Sequence, residues 1–322
     1  MRYIKINFVD FWEGFDYKNF FLYQFLSGYY NLEVCDKPDY LFCSCYGYNH
    51  WKYKECIKIY YTPENIVPDF NIYDYCIGFH YLLLDDRYFR FPLWLMYCWN
   101  IMDELNTKIL NKSLFKRKFC NFIYSNNTLA DPYRERFFYE LSKYKKVDSG
   151  GKFLNNIGYF VNDKLNFIKE YKFSIAIENS CVNGYTTEKI IEPIMVNSIP
   201  IYYGDPSVSY DFNLNSLVDL RSFASISQAV EYIVALDENE DLYLQKYLEP
   251  WFQSSFIKED YCNGLYYFFK AIIDSPIEIS KRIVDYGFAV RYRKEMSRCT
   301  PLVHNYLFEK IYGFKDRIDK YK

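Results

Sequence analysis

Between Lys172 and Asp205 the chain reads KFSIAIENSCVNGYTTEKIIEPIMVNSIPIYYGD, and this stretch constrains the fold most tightly. Phe173 to Ile177 is an apolar, β-branched run of strand length, the pattern of a strand buried on both faces. Polar Glu178-Asn179-Ser180 follows, and Asn183-Gly184 marks a turn. From about Thr186 the apolar residues Ile190, Ile191, Ile194 and Met195 recur at helical spacing. Asn197 and Ser198 interrupt that helix, and Ile199 to Tyr203 is a second buried-strand run before Gly204-Asp205-Pro206. Strand, loop, helix and strand of these lengths predict one βαβ crossover. Its loop and helix N-terminus should open at the carboxyl ends of the strands, where open α/β sheets bind ligands.

The polar residues crowd into that mouth. Glu178 and Asn179 end the strand, while Tyr185, Glu188 and Lys189 occupy the loop and first helical turn. A helix N-terminus with free N–H groups and a neighbouring lysine suits a phosphate, and a nearby carboxylate suits sugar hydroxyls. Together they point to a nucleotide-sugar site. The competing reading makes Glu188 a partner of the helix dipole and Lys189 a solvated surface charge.

The segment ENSCVNGYTTEKIIEPIMVNSIPIYYGDPSV resembles the donor-binding signature of the α1,3/α1,4-fucosyltransferases, glycosyltransferase family 10. Similarity to bacterial members runs from the N-terminal region to about residue 270, including YYTPENIVPDFNIYDYCIGF (60–79) and DRYFRFPLW (86–94). The resemblance implies an α/β fold of GT-B architecture, two Rossmann-like domains facing a central cleft. It also implies GDP-fucose as co-substrate, an oligosaccharide acceptor, and inversion at the anomeric carbon. No cofactor is implied. Residues 1–113 would form the acceptor-binding domain, 114–274 the GDP-sugar-binding domain, and 275–322 a basic helical tail.

Elsewhere the pattern agrees with such an order. Strands are predicted at 3–11, 32–34, 40–43, 56–61 and 74–79, with an early helix over 17–30. A lysine-rich polar run, 106–118, reads as a solvated linker. Phe119 to Tyr124 then opens the second domain, closing on Ser125 and Asn126, which join the donor-binding candidates. Asp131-Pro132 starts a helix over 133–144 with Arg134 and Arg136 in its opening turns, where the helix dipole opposes a cation. Family members carry an arginine here that reaches the donor diphosphate; Arg134 is the match and Arg136 its rival. Helices are further predicted over 162–171, 226–236, 242–252 and 255–273. The tail 281–322 holds 11 Lys and Arg against 5 Asp and Glu, interleaved with aromatics. Either a peripheral contact with the inner membrane face or packing on the protein itself would account for it.

Composition and absences narrow the chemistry. A net charge of −2 gives no electrostatic case for nucleic acid. The ten cysteines form no CxxC pair and mostly lie in apolar runs, as reduced buried thiols do. With no signal-peptide pattern and no apolar run of about 18 residues, the expected location is cytoplasmic, with the membrane contact peripheral. There is no GxG, no P-loop and no Asp-x-Asp triplet, so dinucleotide, P-loop and metal-held diphosphate chemistry lack support. No metal site is expected. Lys189, Arg134 and the helix N-terminus must then neutralise a leaving diphosphate.

An inverting transfer also needs a base. Bacterial family members place a glutamate after the Ile-Gly-Phe strand, whereas this chain has Ile77-Gly78-Phe79-His80-Tyr81. Tyrosine ordinarily titrates near ~10 and is a poor base at neutral pH. Glu64, His80 and the Asp85-Asp86 pair remain, and Glu64, on a predicted loop at the mouth of the first domain, is the chosen catalytic candidate.

Overall fold

The computed structural model describes residues 1–105, 108, 112–125 and 130–303. The chain divides into two compact units, one of residues 1–78, 82–90 and 262 onward, the other of 79–81 and 91–261.

The first unit is built on six parallel strands: β1 (Tyr3–Val9), β2 (Asn31–Val34), β3 (Tyr40–Cys43), β4 (Ile57–Tyr61), β5 (Tyr75–Gly78) and β6 (Tyr88–Arg90). Their order is β2-β1-β3-β4-β5-β6. β3, β4 and β5 are buried at every position, which is why they read as continuous apolar runs. The predicted helix over 17–30 is a single 3₁₀ turn, Tyr17–Asn19, followed by α1 (Phe21–Ser27). Asp16 accepts from the N–H of Lys18 and caps the first piece, and Phe20 in extended backbone breaks the two apart.

The second unit holds α2 (Leu93–Cys98), β7 (Lys118–Phe122), α3 (Tyr133–Tyr144), β8 (Val147–Ser149), α4 (Lys164–Ile168), β9 (Tyr171–Ile177), α5 (Glu188–Met195), β10 (Ile199–Tyr203), β11 (Val218–Asp219), α6 (Ile226–Glu238) and α7 (Glu240–Leu248). Its parallel sheet runs β11-β10-β9-β7-β8. β9 and β10 align Phe173 with Ile199 through Ile177 with Tyr203, so the predicted crossover is present. α5 ends at Met195; Asn197 adopts φ 57°, and the N–H of Ser198 returns to the carbonyl of Pro193. Both sheets reverse direction of growth once, between β1 and β3 and between β7 and β9. Such switch points in parallel sheets are where ligands bind.

After α7 come α8 (Lys258–Ile273), α9 (Ile277–Ser280) and α10 (Phe288–Val303). Residues from 262 onward belong to the first unit: Phe269 lies 6.1 Å from Phe42, Phe268 5.7 Å from Phe89, and Tyr266 4.6 Å from Tyr29, ring to ring. Conversely, residues 91–105 join the second unit. Trp94, fully buried, sits between Phe212, Phe252 and Phe256 and donates its indole N–H to Asp211 at 3.1 Å. The chain passes between the two units at 78/79, 81/82, 90/91 and 261/262. The short strands β6, β8 and β11 and the short helix α2 carry too little periodicity to be read beforehand.

Candidate functional site

The candidate site is the loop from Glu178 to Thr187, between β9 and α5. It is shaped by buried hydrogen bonds. Glu178, 1% exposed, accepts from the Thr187 N–H at 2.8 Å and from the Thr187 hydroxyl at 2.7 Å. The end of the strand is thereby tied to the start of the helix. Asp205, fully buried after β10, accepts from the Gly184 N–H at 2.8 Å and the Thr186 hydroxyl at 2.9 Å. Gly184 has φ +85°, and a Cβ there would meet the Phe79 carbonyl oxygen at 2.3 Å. Gly204 is equally restricted, since a Cβ would meet Cγ of Glu178 at 2.5 Å. Thr187, in extended backbone, is the N-cap of α5.

Lys189 lies among carboxylates. Its Nζ is 2.9 Å from Oε1 of Glu188 and 3.4 Å from Oε2 of Glu178, and it donates to the Thr187 hydroxyl at 3.2 Å. Burial alone would lower the ammonium pKa, but the charges of Glu178 and Glu188 outweigh it and the net shift is upward. For Glu178 burial wins over Lys189 and its pKa rises. Burial also works to raise Glu188, yet the Lys189 charge and hydrogen bond prevail, so its pKa falls. Lys189 is thus a fixed cation at a helix N-terminus, 13% exposed. A void of about 10 Å³ beneath it, lined in part by Tyr124, Glu192 and Lys164, is the size of one water.

Arg134, expected to reach a diphosphate, is held at the base of this loop. It is fully buried on α3, stacks 4.1 Å above the Tyr124 ring, and donates from Nη2 to the Ile177 carbonyl at 2.8 Å and to Oδ1 of Asn179 at 2.7 Å. Tyr124 in turn donates to the carbonyls of Ile175 and Ile177 and accepts from the Ile177 N–H at 2.7 Å. Asn179 completes the clasp by accepting the Asp131 N–H at 3.0 Å. Arg134 therefore fixes the geometry of Asn179, and Arg136 is the exposed arginine of that helix. Tyr185 is also interior, 3% exposed, with its ring 5.2 Å from Phe79. Ser125 is exposed at the end of β7, across the switch point from β9, and Asn126 lies outside the described residues.

Sequence reasoning passed over two contributors. Thr187 could have been found as the cap preceding Glu188-Lys189, and Asp205 as the carboxylate after the Gly204 turn. Phe79-His80-Tyr81, considered above for the base, belongs to the second unit. There His80 stacks on Phe79 at 4.1 Å and Tyr81 meets Tyr210 edge-on at 5.5 Å. Burial lowers the His80 pKa. The sequence placed these residues at the end of a first-domain strand and offered His80 as one candidate base.

Glu64 is in the first unit, exposed on the loop after β4 at the carboxyl edge of the sheet. Its Oε1 accepts from the Tyr46 hydroxyl at 2.9 Å, and its N–H donates to the Thr62 hydroxyl at 3.0 Å. Asp86 is engaged by Arg282. Among the described residues no set of three His, Cys, Asp or Glu side chains gathers as metal ligands, and no helix is long and apolar enough to cross a membrane.

Comparison with known proteins matches the same segments. Residues 6–97 fit the family model of the alpha-(1,3)-fucosyltransferase FucT N-terminal domain, and residues 114–264 fit that of the glycosyltransferase family 10 (fucosyltransferase) C-terminal part. The chain is 32% identical over 287 residues to alpha-(1,3)-fucosyltransferase FucT of Helicobacter pylori, covering 76% of this chain and 60% of the relative's length. A crystal structure of an alpha1,3-fucosyltransferase with GDP superposes with TM-score 0.74 at 28% identity, over 89% of this chain and 93% of that one. A second, with GDP-fucose, gives TM-score 0.71 at 27% identity over 83% and 91%. With its two parallel α/β units and this likeness, the fold is of the GT-B class, and the chain belongs to glycosyltransferase family 10, the fucosyltransferases.

Proposed function

We propose that the protein transfers L-fucose from GDP-fucose to a GlcNAc-containing glycan, forming an α1,3 or α1,4 linkage with inversion and without a metal. The observation that carries this reading is Lys189, held at the N-terminus of α5 between Glu178 and Glu188 in a loop that bears the family signature. In one displacement the acceptor oxygen bonds to the anomeric carbon as its bond to the diphosphate breaks. Negative charge grows on the leaving GDP, and Lys189 with the N–H groups opening α5 stabilises it. Tyr185, Glu188, Ser125, Asn126 and Asn179 or Glu178 are the proposed contacts to the nucleotide and sugar, and Arg134 the proposed second contact to the diphosphate. Glu64, oriented by the Tyr46 hydroxyl, is the proposed base for the acceptor hydroxyl. The tail is proposed as a peripheral membrane contact; residues 304–322 of it lie outside the described residues.

Transfer of radiolabelled fucose to acceptors ending in GlcNAc tests this directly, and activity is expected to survive excess EDTA. A complete loss that Mn²⁺ restores would contradict the metal-free mechanism. Phe79-His80-Tyr81 supplies no carboxylate beside the donor loop, which favours a second reading: a relative that binds GDP-sugar or glycan without turnover, or one that uses another GDP-sugar. GDP binding without any fucosyl transfer would select it.

A further inference from the structure

Strand alternation puts a charge where the first unit is apolar. β4 reads Ile57-Lys58-Ile59-Tyr60-Tyr61. Cys56 and Tyr60, two residues to either side of Lys58, belong to an apolar cluster with Leu41, Cys43, Cys76 and Tyr88, against which Met296 of α10 packs. Lys58 is 8% exposed. Its ammonium sits 5.7 Å from the centre of the Trp51 ring, and among the described residues no carboxylate lies within ion-pair distance of it. The nearby Asp74 is committed elsewhere. One of its oxygens accepts the Lys58 backbone N–H at 2.9 Å, and the other accepts the N–H groups of Arg282 and Ile283 at 2.8 and 2.9 Å. The indole N–H of Trp51 is likewise buried without an acceptor. A buried ammonium without a counter-charge is unfavourable, and burial accordingly pulls its pKa down.

Lys58 lines a cavity of about 340 Å³. Lys54, Lys281, Arg293 and Lys294 line it too, and among the described residues the one carboxylate in its wall is Asp285. That carboxylate already faces Arg293 at 3.3 Å and Lys281 at 3.7 Å. Cations therefore exceed anions in the wall, and two donors at its inner side, the Lys58 ammonium and the Trp51 indole, lack acceptors. We propose that this cavity binds a phosphate ester or diphosphate, with Lys58 contacting the anion at depth and Lys54, Lys281 and Lys294 around it. Several cations converging on one small space suit a multiply charged phosphate better than a single carboxylate. The volume exceeds that of a bare phosphate and leaves room for a ring against Trp51 and Tyr53. The site lies within the first unit and does not depend on the fucosyl-transfer reading.

The test is titration of the full-length protein with inorganic pyrophosphate, followed by calorimetry and thermal shift, for wild type, Lys58→Met and Lys189→Ala. Wild type and Lys189→Ala should bind at this site alike. Lys58→Met should bind at least about tenfold more weakly, since one charge-assisted contact is gone. Without ligand, Lys58→Met should melt at or above the wild-type temperature, because it removes an uncompensated buried charge. A parallel arm uses phosphatidylglycerol-containing vesicles against phosphatidylcholine vesicles. Lys58-dependent uptake by the former alone identifies a lipid headgroup as the source, and Lys58-dependent pyrophosphate binding without vesicle uptake identifies a soluble phosphate. If wild type takes up neither, or Lys58→Met binds as wild type does, the proposal is overturned. Loss of pyrophosphate binding in Lys189→Ala, with Lys58→Met binding as wild type does, would place the anion at the donor loop and likewise overturn the proposal.

Discussion

A methyl group at Gly184 would have to occupy the space of the Phe79 carbonyl oxygen, 2.3 Å away, with the backbone held at φ +85°. An L-residue pays about 1–2 kcal/mol for that conformation before any clash is relieved. Gly184→Ala should therefore lower unfolding free energy in urea by at least about 1–2 kcal/mol and weaken GDP binding, because the loop cannot keep both its turn and its seat. Arg134→Ala has a different signature. It removes a buried guanidinium, leaving the part-buried Asn179 Oδ1 without this donor while the Ile177 carbonyl keeps the Tyr124 hydroxyl. An acceptor that loses its donor costs about 1–3 kcal/mol, so a stability loss of that order should appear even with no nucleotide present. A variant that lost GDP binding at unchanged stability would make diphosphate contact the whole role of Arg134. For Glu64→Gln the expectation is reversed again. Transfer should fall ~10²–10⁴-fold, the worth of a positioned base, with GDP affinity unaltered. Near-native turnover in Glu64→Gln, with loss in Asp85 or Asp86 variants, would move the base to the segment after β5.

Between elements, α6 is fastened to its sheet through Asp237, whose side chain is 2% exposed. It accepts from Lys145, just after α3, and from Lys172 of β9, both at 2.8 Å. Burial alone would raise this carboxyl, but the hydrogen bonds and charges of Lys145 and Lys172 hold its pKa below the usual value. A depressed carboxyl pKa stabilises the fold above the unfolded value, near ~3.9, and that stability is lost as pH falls through the folded value. Asp237→Asn should thus cost about 2–4 kcal/mol at neutral pH, with the deficit shrinking as the medium is acidified below that range. A deficit constant with pH would mean that packing, not charge, fastens the helix. The same elements show what a sequence can disclose. α3 and β10 were bounded to the residue, because an amphipathic repeat or a buried run between strong breakers leaves one reading. The helix expected over 162–171 shrank to α4, since β9 begins at Tyr171 and competes for its end. Glu178, Lys189 and Asn179 were legible as a polar cluster at a strand end. Which of them face inward was not, because a carboxylate that binds a sugar and one that closes a loop are the same letter.

For the molecule as a whole, two parallel sheets of like order each present a switch point, and the family signature sits at the second. The way residues 262–303 join the first unit could not be read from local pattern, since only contacts far apart in sequence decide it. At this scale the question is whether the chain moves fucose and whether Lys189 enables it. The measurement is transfer of radiolabelled fucose from GDP-fucose to N-acetyllactosamine by wild type and Lys189→Ala, side by side, with Lys143→Ala as an exposed-lysine control. Wild type and Lys143→Ala should label the acceptor equally, and Lys189→Ala should be at least ~10²-fold slower while remaining folded, as loss of one preorganised charge at a leaving group requires. Equal rates for all three proteins, or no labelled acceptor from wild type, would contradict it.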